Sequence, residues 1–120
     1  MSIDVLSQKA MVTIGEILKQ CSQLKVEEER VSSNDYDERV IFANEIDQWG
    51  KVFADVLGQA MKPAGQKTTP QDFALTVNYG GVLDDQTLFY KKFKERSILA
   101  MFWPWKNKIH VTLKIACFQE

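Results

Sequence analysis

Two tryptophans bracket a proline in the stretch Met101–His110 (MFWPWKNKIH), which ends on the chain's single histidine. An imidazole beside aromatic side chains could act as an acid/base group near neutral pH. His110 belongs to the set His110, Thr112, Lys114, Ala116 and Phe118, whereas Val111, Leu113, Ile115 and Cys117 form the plainly apolar alternate set. In a strand successive side chains point to opposite faces, so His110 is expected to face away from the helix-packed core. It is a weak acid/base candidate, and a lone histidine with no second ligand assigns no catalytic residue and no metal site.

Other chemistry has weaker anchors. Asp84 and Asp85 follow Gly80-Gly81 and suit backbone capping in a turn. Gly80-Gly81 lacks the lysine, hydroxyl and following helix of a phosphate loop. No Gly-x-Ser-x-Gly element is present, so nucleophilic catalysis has no anchor. Asp35, Asp37 and Glu38 fit a capping box at a helix start better than a cation site. Cys21 and Cys117 lie on apolar faces and are expected to be buried, reduced thiols. No cofactor is implied.

Composition bounds the rest. A chain of 120 residues with 45% hydrophobic and 26% charged residues is an ordinary folded domain. Its net charge of −1 supplies no field for gathering phosphates, so nucleic-acid binding is not expected. Lys91, Lys92, Lys94 and Arg96, interrupted by Glu95, read as a solvated hairpin end. The apolar run from Ile98 to Trp105 is far short of the ~20 residues that span a bilayer. The start MSIDVLSQKA has no basic opening before an apolar run. A cytoplasmic protein that does not contact membranes is the expectation.

The elements that must position these groups follow from periodicity. Leu6, Ala10, Ile14, Ile17, Cys21 and Leu24 recur at steps of three and four, predicting a helix over about 3–30. Phe42, Ile46, Trp49, Phe53, Val56, Leu57 and Ala60 predict a second over about 37–62, with Gly50 and Gly58 marking close approach to the first. The period then changes to two, with strands predicted over 72–79, 86–93, 97–103 and 109–118. The expected fold is a single α+β domain, two N-terminal helices packed on one face of a C-terminal four-stranded antiparallel meander.

The third predicted strand carries the functional expectation. Ile98, Ala100 and Phe102 lie on one face and Leu99, Met101 and Trp103 on the other, so both faces are apolar. Something must cover the outer one. The reading that follows is a non-enzymatic homo-oligomer, a dimer foremost, joined through this face. Tyr90, Met101, Trp103, Trp105 and His110 would form the interface, or a small-molecule cleft within it. Two alternatives stand beside it. One is a small-molecule enzyme or binding protein with a sheet–helix pocket and His110 or Asp84 as acid/base. The other is an antitoxin-like or adaptor-like protein that meets a partner through its acidic helix faces.

Overall fold

Thr13 and Glu16 exchange hydrogen bonds in a capping box, and from it α1 runs over Ile14–Gln20. The structure, a computed structural model, describes residues 12–120. After α1 come β1 (Val26–Ser32), β2 (Tyr36–Phe42), α2 (Ile46–Leu57), α3 (Pro70–Thr76), β3 (Thr87–Lys92), β4 (Ser97–Pro104) and β5 (His110–Phe118), with 3-10 turns at Ala43–Glu45 and Val77–Tyr79. The class is α+β, and the five strands form one antiparallel sheet in the order β1-β2-β5-β4-β3. Among the described residues no helix is long and apolar enough to cross a membrane.

The C-terminal half agrees with the predicted meander: β3, β4 and β5 match strands 86–93, 97–103 and 109–118 to within about two residues. The N-terminal half corrects the prediction in two places. Of the helix expected over 3–30, residues 3–11 lie outside the described residues, 14–20 are helical, and 26–30 belong to the edge strand β1. Every residue of β1 is exposed and its register is interrupted by bulges, so no burial pattern marks it as a strand. The helix expected over 37–62 is helical in 46–57, while Tyr36–Phe42 is β2. There the inward positions are Asp37, Arg39 and Ile41, and two paired ions on the buried side conceal the period of two.

The third correction bears most on the site. The strand expected over 72–79 is α3 followed by a 3-10 turn. Thr69 and Asp72 form a capping box with Pro70 in the first turn, a helix start that the alternation of Phe73, Leu75, Val77 and Tyr79 masks. The buried residues of α3 are the polar Asp72 and Thr76. Thr76 Oγ1 donates to Asp72 O at 2.9 Å and accepts from Val82 N at 2.9 Å, so the burial is satisfied.

Two cores result, one on each face of the sheet. On the inner face Ile41, Ile98, Ala100, Phe102, Val111, Leu113 and Ile115 meet Ile14, Ile17, Trp49 and Phe53. Phe53, Phe89 and Phe102 pack with ring centroids 5.8 Å apart in each pair. Gly50 faces Phe102 and Phe89, so α2 makes its close approach to the sheet rather than to α1. On the outer face Val82, Leu88, Leu99, Met101 and Ala116 form a smaller core, flanked by Met61, Tyr79, Tyr90 and Trp103. Residues 61–86 supply the cover that the apolar outer face of β4 demands. Both cysteines are free and buried; burial pushes the Cys21 thiol up to about 11, with the Arg39 charge opposing, and raises that of Cys117.

The cover is pinned at both ends. Lys62 pairs through its backbone with Leu88, and its ammonium donates to the carbonyls of Pro63 (3.1 Å), Asp84 (2.9 Å) and Gln86 (2.5 Å). Asp84 takes the Thr68 N–H at 2.8 Å, the capping role expected for it. At the far end Gly80 has φ +103°, and a Cβ there would lie 2.4 Å from Cη2 of Trp103. Glycine is required at that point by both backbone and space.

Candidate functional site

The stretch Met101–His110 is a β4–β5 corner. Pro104 closes β4, Trp105 N donates to His110 O at 2.9 Å, and Lys108 takes a left-handed φ of 62° at the tip. Asn107 organises the turn: its Oδ1 accepts from the N–H groups of Ile109 (2.9 Å) and His110 (3.1 Å). Its Nδ2 therefore faces His110 Nδ1 at 2.9 Å and donates to it, which leaves the ring hydrogen on Nε2. The imidazole lies between Trp105 and Phe42, with centroids at 5.0 and 5.6 Å. Its Nδ1 is occupied by a structural hydrogen bond.

Trp105 folds back over the outer face, where its Nε1 donates to Thr112 Oγ1 at 2.8 Å and the Arg30 guanidinium sits 5.7 Å from its ring. Tyr90, on β3, donates its hydroxyl to Glu120. Met101 is fully buried beneath the cover. Trp103 lies against Gly80 and under Lys114. The structure thus sets Tyr90, Met101 and Trp103 along one covered face and places Trp105 with His110 at the corner. Among the described residues no group of three or more His, Cys, Asp and Glu side chains could hold a metal ion.

A cleft opens where the cover meets β2 and β5. Antiparallel pairing sets Glu38 of β2 and Met101 of β4 on either side of Lys114, and Tyr36 beside Ala116. The 3-10 turn brings Asn78 and Tyr79 against them. The cleft has a volume of about 410 Å³ and is lined by Tyr36, Asn78, Tyr79 and Lys114. Tyr36 and Tyr79 stack with centroids 5.8 Å apart and planes 10° from parallel, and Phe118 continues the row at 6.0 Å from Tyr79.

Lys114 is the unusual charge. Its ammonium lies 3.4 Å from the Trp103 ring centroid and donates to Tyr79 O at 2.9 Å. Burial holds it below the ordinary lysine range, opposed by the field of Glu38. Glu38 itself is engaged elsewhere, accepting from the Tyr36 hydroxyl at 2.7 Å with Arg30 at 3.7 Å. Burial, then that hydrogen bond to a carboxylate, raises the Tyr36 hydroxyl well above its usual range. A larger hollow of about 610 Å³ beside α1 also contains a cation, Arg96, but Asp35 neutralises it at 3.2 Å. Among the described residues no carboxylate stands within ion-pair distance of Lys114.

The sequence pattern places Lys114 on the outward set of β5, but leaves Tyr36 between the two predicted helices and Asn78 and Tyr79 in a predicted strand. The available signal is a lone lysine midway along a face otherwise made of His110, Thr112, Ala116 and Phe118. Comparison of the chain with protein-family models, with curated proteins and with solved structures gave no match in any of the three.

Proposed function

We propose that this chain is a small, non-catalytic binding protein that takes a ligand in the cleft between residues 61–86 and the outer face of its sheet. The observation that carries the reading is Lys114, a partly desolvated ammonium in an aromatic-walled opening with a carbonyl and a ring face as its partners. Pockets that bind small molecules combine apolar walls with a few fixed polar groups, and this cleft has that composition. The engagement of His110 Nδ1 by Asn107 favours binding over acid/base chemistry at the corner.

The test is a fragment screen read by 1H–15N spectra of the whole chain, with charged and neutral, aromatic and aliphatic compounds. Fragments that bind should shift the amides of Tyr36, Asn78, Tyr79 and Lys114 together. Shifts gathered instead along α2 near Gly50 and Lys51, or none at millimolar fragment, would count against the cleft.

Self-association is a second reading, favoured by a separate observation. Phe73 and Val77, four residues apart along α3 and its 3-10 extension, are 48% and 49% exposed, and Leu83 on the same cover is 58% exposed. Pairing of two copies through these side chains replaces the interface expected at Trp103. Light scattering should then return the mass of two chains, reduced to one by Val77→Asp. A single-chain mass for the parent protein removes this reading.

A further inference from the structure

We propose that the ligand of the cleft is a small aromatic monocarboxylate, its flat ring laid on the Tyr36–Tyr79 stack and its carboxylate on the Lys114 ammonium. The inference rests on the cleft being the binding site and adds the chemical class of its occupant. Three features of the lining select that class.

The first is the aromatic row. Phe118, Tyr79 and Tyr36 follow one another at 6.0 and 5.8 Å, with the two tyrosines nearly parallel. A planar ring extends such a row at little conformational cost, whereas a saturated ring offers no π face.

The second is the ammonium. It has three N–H donors, of which one reaches Tyr79 O, and it lines the cleft. Burial has weakened its hydration, so a carboxylate there forms a charge-assisted hydrogen bond at a lower desolvation cost than at a fully solvated lysine.

The third limits the charge to one. The groups facing Lys114 are Glu38 from β2, Trp103 from β4 and the Tyr79 carbonyl from the cover. Glu38 raises the cost of a second negative charge, and Arg30, 3.7 Å from Glu38, is already paired with it. A phosphate dianion would face one ammonium and a carboxylate together. Asn78 adds an amide that can donate to or accept from a polar group on the ligand's rim.

The experiment compares 2-naphthoate with its uncharged match 2-naphthamide and its saturated match decahydro-2-naphthoate, by 1H–15N titration of the wild-type chain. The acid should shift the cleft amides and bind at least about tenfold more tightly than the amide, the ratio expected of one charge-assisted contact, and more tightly than the saturated acid, which lacks the π face. Lys114→Met should abolish that preference while leaving amides on the α1–α2 side of the sheet unmoved. Equal binding of acid and amide in the cleft overturns the carboxylate assignment and leaves the cleft reading standing. Absence of cleft shifts with all three compounds overturns both. The acid-to-amide ratio is measured on the wild type, so it holds even if Lys114→Met does not fold.

Discussion

Asp37→Ala should lower the stability of the protein by about 3–5 kcal/mol, the scale for removing one partner of a buried ion pair. Asp37 is 0% exposed and holds Arg39 by two hydrogen bonds, Nε to Oδ2 at 2.7 Å and Nη2 to Oδ1 at 2.8 Å. Both side chains point to the inner face of β2. Glu29, the cross-strand partner of Arg39, approaches it at 3.9 Å from an exposed position and substitutes poorly for the lost carboxylate. Alanine therefore leaves a guanidinium largely out of water without its counter-charge. Since a domain of this size has roughly 5–15 kcal/mol in total, the urea midpoint should fall steeply. The double substitution Asp37→Val with Arg39→Met should recover most of the loss, because it removes both charges and keeps the volume. A midpoint unchanged in the single variant would show that the pair is solvated in the native state.

Lys62→Met should have a comparable but more local effect, about 2–4 kcal/mol. The side chain is 1% exposed, and methionine preserves its length while leaving the carbonyls of Pro63, Asp84 and Gln86 without their shared donor. Those carbonyls belong to the two ends of residues 61–86, so the cover should open while the α1–α2 side of the sheet stays closed. Hydrogen exchange reads this directly. The amides of Gly81 and Val82, which donate to Thr76 O and Oγ1, should exchange about a hundredfold faster or more. Amides between β4 and β5 should change little. Uniform acceleration would mean that cover and sheet unfold as one unit, and no acceleration would mean that Lys62 does not hold the cover.

Where one face of an element is apolar and the other polar, sequence and structure agree. The stripe of Trp49, Phe53, Val56 and Leu57 on α2 and the alternation along β5 are of this kind. The disagreements share a physical cause: burial that is polar, or exposure on every side. Asp37 and Arg39 turn inward as a pair, Asp72 and Thr76 turn inward while Phe73 and Val77 turn out, and β1 buries nothing. Hydrophobic period reports none of these, although Thr69-Pro70-x-Asp72 did carry a helix start in its own chemistry. The need for a cover over Leu99 and Met101 was legible; that residues of the same chain provide it was not, because α3 read as a strand. The cleft was lost with it, since Asn78 and Tyr79 reach Lys114 from the cover.

That residues 61–86 close the outer face and shape the cleft is the central claim, and the proton spectrum of Gly80 tests it most directly. Its Cα sits against the Trp103 indole, closely enough that an added Cβ would clash with Cη2 and Cζ2. Ring-current effects should move its Hα resonances clearly away from their random-coil positions, with nuclear Overhauser contacts to the indole six-membered ring. Random-coil shifts and no such contacts would place the cover off the sheet, leaving Leu99, Met101 and Trp103 open to another copy or a partner.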